Sequence, residues 1–322
     1  MNEEAKKPRL NTHQILIELC CLSYCDDKAD HFESRSTQEA KIAADITNGL
    51  SQLDLNGWPI TWGPVLSDDL ERTFMMYVAA HSHLNEYAVV IRGTDPSSIE
   101  GWLTDGDVTL VAPPYGSGLS IAKGAYDAIE KLNAMTSGSQ TLAQYLSSLP
   151  GSPAIYVTGH SFGGTLATAY APWLVAQGVA SPQVVTFASP SAGNAAFVTY
   201  LTANVQSVTS YINTLDIVPN FWASILNVEQ YYASPGPACP IDGLLKYWAK
   251  KIVGYEQAGV QVSRTGTLQS HDDWFAEVGY QHDHNTYATL LGAPALSIDN
   301  STSQAGVATL PRERPHRPAP LS

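Results

Sequence analysis

The stretch Ala154–Gly164 reads A-I-Y-V-T-G-H-S-F-G-G. Ile155 to Thr158 suit a buried strand, and the alanine-rich run from Thr165 to Ala171 behind it has helical character. A glycine-flanked serine at a strand-to-helix junction is the pattern of a nucleophile elbow, G-x-S-x-G. Gly159 and Gly163 are needed there because a Cβ at either position would crowd the neighbouring backbone. The tight turn strains Ser161 and lifts its hydroxyl clear of the sheet. The amide of Phe162 then opens a helix, where a developing oxyanion is favoured. A turn that merely happens to hold a serine would not also have the strand before it and the helix after it.

Working outward, Thr73–Ala80 and Glu86–Arg92 are rich in β-branched and aromatic residues, and His81–Asn85 joins them as a hairpin. The core of the second strand, Y-A-V-V-I, is apolar on both faces and therefore central. Beyond the elbow, Gln183–Phe187 and Ser207–Asn213 are further strands, with helical residues Ala195–Leu201 between them. Upstream, Ile15, Leu16, Leu19 and Leu22 keep helical spacing behind a cap at Asn11 or Thr12. Ser36 with Glu39 has the form of a capping box for a second helix ending near Asn48–Gly49. Ile121–Leu132 and Leu142–Leu149 predict two more helices, Leu244–Val253 another, and Val260–Leu268 a strand. Alternating strand and helix imply a mostly parallel sheet with helices on both faces; with the elbow, this is the α/β-hydrolase fold. The expected organisation is a disordered segment 1–10, one domain over 11–294, and a flexible tail 295–322 rich in proline and arginine.

Thirty acidic against 17 basic residues give a formal charge of -13, which excludes a nucleic-acid or anionic-membrane partner held by charge. Three of the four cysteines, Cys20, Cys21 and Cys25, crowd into one probable helix, with Cys239 far away in sequence. Without a CxxC pair, reduced thiols are the expectation, and one bridge from the cluster to Cys239 is the alternative. Glu3 and Glu4 in the basic N-terminal region, and Glu18 within the apolar run, argue against a signal peptide. A cytoplasmic location is the default, with export by another route as the alternative. No stretch reaches the roughly 18 uninterrupted apolar residues of a transmembrane helix.

A serine hydroxyl needs a base, and the base needs an orienting carboxylate. In this fold the chain order is serine, acid, histidine. Asp216 follows directly on a strand in Y-I-N-T-L-D-I-V-P and is the best acid; Asp242, Asp272 and Asp273 follow no convincing parallel strand. His271, His282 and His284 are the candidate bases, and position alone leaves His282 and His284 level. No matching carboxylate or cysteine cluster supports reading H-D-H as a metal site. The Phe162 amide supplies one oxyanion donor. The turn Arg92-Gly93-Thr94 offers a second, through the Thr94 amide and hydroxyl.

These residues resemble the class 3 lipases, the family of filamentous-fungal triacylglycerol lipases. Six ordered blocks carry the resemblance over about residues 70 to 290: V-I-R-G-T-D-P with Trp102-Leu103-Thr104-Asp105, Lys123-Gly124, the elbow, F-A-S-P-S-A-G-N, N-T-L-D-I-V-P and H-N-T-Y. The resemblance implies a carboxylic-ester hydrolase without a cofactor, acting on acylglycerol-type esters through an acyl-enzyme. It implies Ser161 as nucleophile, Asp216 as acid and, through the match at Tyr287, His284 as base. It also implies Thr94 as side-chain oxyanion donor beside Phe162, and a lid over the loop holding Ile99 and Trp102. Ser191 stands where the family usually has arginine, and Ala188 where it has glycine. The lid stretch is acidic and only sparsely apolar, whereas a strongly interfacial lipase is expected to expose a larger apolar face. A lipid or other ester is the expected partner, with transient contact at a lipid–water interface. The alternatives are a phospholipase A1, a feruloyl-type esterase or an acyltransferase on the same triad, or a hydrolase-fold binding protein without catalysis.

Overall fold

The computed structural model describes residues 9–25, 33–69, 72–93, 108–232, 237–269 and 273–296. Its main sheet has seven strands: β1 (Ile60–Leu66), β2 (Met75–Ala80), β3 (Glu86–Ile91), β4 (Ala154–His160), β5 (Gln183–Phe187), β6 (Ser207–Asn213) and β7 (Val260–Arg264). They lie side by side in sequence order. The β1–β2 and β2–β3 pairs are antiparallel, and every later pair is parallel.

Burial runs without interruption along the central strands because both faces are covered. Val89 and Ile91 of β3, with Ile155 and Val157 of β4, pack under α3 (Lys123–Ala134), α4 (Leu142–Ser147), α5 (Phe162–Ala176) and α6 (Ala195–Asn204). Ala88, Val90 and Tyr156 face α1 (Thr12–Leu22), α2 (Arg35–Gln52) and the segment 287–293. The crossover helices therefore fill one face, and the opposite face is closed by the first and last helices of the domain. Gln14 of α1 donates to the carbonyls of Leu291 and Gly292 (2.9 and 3.2 Å), tying those ends together.

A third apolar cluster gathers Ile217, Val218, Phe221 and Trp222, from the loop after β6, against Leu245 of α7 (Asp242–Lys251) and Trp274 and Val278 of α8 (Trp274–His282). After α8 a single residue, Asp283, leads into α9 (His284–Leu290). This cluster holds α8 beside the end of β6, which positions the site.

Two expectations are corrected. Asn11 caps α1 in a full capping box with Gln14, but α2 is capped by Ser34, whose hydroxyl accepts from the Thr37 amide. The Glu39 carboxylate accepts from the Leu66 amide of β1 instead of closing a box with Ser36, and the helix continues to Gln52. The sequence also gives no hint of β1, because Gly63-Pro64 reads as a turn; here it sits at register shifts in an edge strand, where proline removes no needed donor.

No disulfide links Cys20, Cys21, Cys25 and Cys239 to one another. Among the described residues, no helix is long and apolar enough to cross a membrane. The expected tails 1–10 and 295–322 lie outside the described residues except for Arg9, Leu10, Ala295 and Leu296.

Candidate active site

Ser161 sits between β4 and α5 with φ 58° and ψ -132°, in the region that L-residues avoid. Its amide donates to the Phe187 carbonyl of β5 (2.9 Å), and its carbonyl accepts from Gly164 (2.9 Å). The turn is closed by absent side chains. A Cβ on Gly159 would lie 2.3 Å from the Gly163 carbonyl group, and one on Gly163 would lie 2.3 Å from the Ile91 carbonyl oxygen. The strain at Ser161 is held by these backbone contacts and not by its own side chain.

Asp216 follows β6 and is fully buried. Its Oδ1 accepts from the Val218 amide (2.9 Å), and its Oδ2 accepts from the Tyr287 hydroxyl (2.8 Å). The same Oδ2 lies 2.8 Å from Nδ1 of His282, whose Nε2 lies 2.8 Å from the Ser161 hydroxyl. With neutral imidazole, Nδ1–H donates to the carboxylate and Nε2 accepts from the serine. Ser161, His282 and Asp216 therefore form one continuous hydrogen-bonded line.

The structure thus puts His282, and not the expected His284, in line between Ser161 and Asp216. His282 is the last residue of α8, and His284 is the first of α9. Asp283 between them is extended (φ -62°, ψ 137°), so the two imidazoles leave the chain on different sides. His284 turns toward α1, where its ring stacks on Tyr24 at 4.7 Å and 6°. Its Nε2 is near Asn285 Nδ2 (3.3 Å), and its buried Nδ1 has no hydrogen-bond partner among the described residues. Burial lowers the His284 pKa first, with Asp283 acting in the opposite sense. Tyr287 still meets Asp216, so the block H-N-T-Y contributes its tyrosine to the site but not its histidine.

A buried amide network fixes α8 from beneath. Asn213 at the end of β6 donates to the backbone carbonyl and the Oε1 of Gln281 (2.9 and 2.7 Å). Gln281 in turn donates to Thr267 and Glu277 (2.8 and 2.7 Å). Sequence reading missed Asn213 and Gln281, since neither carries a chemical motif.

Phe162 is the first residue of α5, so its amide lies at the positive end of the helix. Gly93 packs against the same turn: a Cβ there would lie 2.4 Å from the His160 carbonyl oxygen and 3.2 Å from the Gly163 nitrogen. Thr94, Ile99, Trp102, His271 and Asp272 lie outside the described residues. Asp242 caps no catalytic group and pairs with Lys246, while Asp273 caps α8. Among the described residues, no group of three histidine, cysteine or carboxylate side chains could hold a metal ion.

The two departures seen in the sequence acquire a structural meaning. Ala188 has φ 55°, a conformation that favours glycine. The Ser191 hydroxyl accepts from the amides of Trp222 and Ala223 (2.7 and 3.2 Å), bracing the loop after Asp216.

Comparison with known proteins gives a consistent result. The family model for lipase (class 3) matches residues 88–225. The curated Caenorhabditis elegans protein Lipase ZK262.3 is 32% identical over 291 residues, covering 84% of this chain and 78% of its own length. Among solved structures, M37 lipase superposes with a TM-score of 0.76 at 24% identity, covering 88% of this chain and 93% of that one. A Rhizomucor miehei lipase, solved as a propeptide complex, gives 0.53 at 19% identity, covering 89% and 83%. These likenesses in structure establish the shared α/β-hydrolase architecture.

Proposed function

The chain belongs to the class 3 lipase family and is a serine carboxylic-ester hydrolase, and we propose that it cleaves acylglycerol-type esters with Ser161, His282 and Asp216 as its triad. The observation that carries this reading is the line Ser161 Oγ–His282 Nε2 and His282 Nδ1–Asp216 Oδ2, 2.8 Å at each step and buried throughout.

As the Ser161 oxygen attacks the ester carbonyl, its proton passes to His282 Nε2, and Asp216 stabilises the imidazolium. The tetrahedral oxyanion is held by the Phe162 amide, with Thr94 as the second donor that the family resemblance implies. Collapse breaks the acyl–oxygen bond, and His282 returns the proton to the leaving alkoxide. Water then repeats the sequence on the acyl-enzyme and releases the fatty acid. Tyr287 and Val218 hold Asp216 so that its second oxygen faces the imidazole.

Ser161→Ala is expected to abolish both hydrolysis of p-nitrophenyl esters and labelling by a fluorophosphonate, with an unchanged circular dichroism spectrum. Turnover retained by the folded variant would overturn the assignment. Rates on acylglycerols of graded chain length, emulsified and dissolved, test the substrate class and the contact with a lipid–water interface. A preference for soluble non-glycerol esters at every chain length would reject both.

A further inference from the structure

We infer that Tyr24 and His160 are a positioning pair, joining the segment just after α1, the elbow and the backbone of the catalytic base through one chain of hydrogen bonds. The inference rests on His282 being that base. It places the end of α1, which lies outside the span matched by the family model, within the catalytic apparatus.

His160 is the last residue of β4, adjacent to Ser161, and its ring is fully buried. His160 Nε2 lies 2.8 Å from the His282 carbonyl oxygen. A carbonyl can only accept, so Nε2 carries the hydrogen. Burial, then the neighbouring His282 and His284, holds the His160 pKa well below the usual imidazole value, so the ring is neutral. Nδ1 therefore presents a lone pair, and the Tyr24 hydroxyl lies 3.2 Å from it. Burial raises the Tyr24 pKa, so the phenol keeps its proton and donates it; the His160 carbonyl, at 3.5 Å, is the more distant acceptor. Gly93 packs beside the same phenol oxygen. The chain of donors thus runs from Tyr24 O–H to His160 Nδ1, and from His160 Nε2–H to the His282 carbonyl.

Each link meets a need that packing alone would not. His282 ends α8, where the last carbonyls have no partner within the helix. Leaving that buried oxygen unmatched would carry a desolvation penalty and free the backbone of the base. Gly93 has no room for a side chain, because a Cβ would lie 2.5 Å from the Tyr24 oxygen. Tyr24 also stacks on His284, steadying the segment just past the base. A phenylalanine at 24 and a leucine at 160 would fill similar space and break every polar link.

The test uses three variants assayed on a soluble p-nitrophenyl ester. His160→Leu is expected to lower kcat by about 100-fold with KM within about twofold, as a displaced catalytic group requires. Tyr24→Phe, which loses one oxygen, is expected to lower kcat by roughly tenfold. His160→Gln offers one amide donor and one acceptor and is expected to recover most of the loss. The inference is overturned if folded Tyr24→Phe and His160→Leu keep wild-type kcat, or if His160→Gln is as poor as His160→Leu. If His160→Leu fails to fold, Tyr24→Phe decides alone. Should Ser161→Ala be inactive while Tyr24→Phe is unchanged, only this inference fails; active Ser161→Ala removes the triad reading beneath it.

Discussion

The elbow and the junction between α8 and α9 deliver the two ends of one hydrogen bond, Ser161 to His282, yet they are built in opposite ways. At the elbow, geometry is local: Gly159, Ser161 and Gly163 lie within five residues, and their backbone contacts leave the chain one path. At the junction, His282 and His284 are separated by one residue and have similar neighbours in sequence. Distant groups decide between them: Asp216, His160 and the amide of Asn213 on one side, Tyr24 on the other. A motif can report the first kind of site, whereas the second depends on how the chain packs.

The sharpest way to break this comparison is to remove each histidine in turn. His282→Ala is expected to lower kcat/KM by roughly 10,000-fold or more, as loss of a triad member does, and His284→Ala by about tenfold or less. The reverse order in a p-nitrophenyl ester assay would restore His284 as the base. On the elbow side, Gly163→Ala drives a Cβ against the Ile91 carbonyl oxygen. A shift of about 1 Å at Ser161 would lower kcat on the order of 100-fold, with a fall in the thermal midpoint that differential scanning calorimetry can record.

Acid should act where the elbow and the junction meet, through two buried histidines. Buried His160 and His284 both have pKa values lowered from the usual 6.5, by desolvation first. Above that value neither folded nor unfolded chain binds these protons. As the pH falls below about 6.5, the unfolded chain takes them up and the folded one resists, so stability is lost with falling pH. Buried Glu18, its pKa pushed up to about 8 by desolvation, acts in the opposite sense at higher pH. The thermal midpoint is therefore expected to peak at about pH 6.5–7, to fall slowly above that, and to decline between about pH 6.5 and 5, before ordinary carboxylates titrate. A midpoint that rises over that interval would contradict buried neutral rings. The smallest effect belongs to the strand beside the elbow. Ala188→Gly relieves a left-handed backbone angle and should raise stability by about 0.5–1 kcal/mol, measured by urea titration with an unchanged slope.

Much of the fold was legible because its signals are periodic. The strands 183–187 and 207–213 were read to the residue, and the hairpin of β2 and β3 to within two. Edge strand β1 was hidden because its Gly63-Pro64 imitates a turn, and α8 because its apolar contacts are with one loop cluster and not with the sheet. Ser161 and Asp216 were legible because each directly follows a strand. Spacing to Tyr287 pointed to His284 as the base, whereas His282 stands in line with Ser161, and Tyr287 meets Asp216 whichever histidine is in line. One local sign was available: Asp283 followed by His-Asn-Thr is an N-cap pattern, which starts α9 at His284 and separates it from His282.

The bond from the Ser161 amide to the Phe187 carbonyl continues the ladder between β4 and β5 past their last paired residues, His160 and Phe187. The nucleophile is thereby a rung of the central sheet and belongs to its cooperative unit. Its amide proton should exchange with deuterium only through global opening, far more slowly than the amides of the exposed loop around Leu84. On heating, catalysis and secondary structure should then disappear at one temperature, because no partial opening can release the serine while the sheet survives.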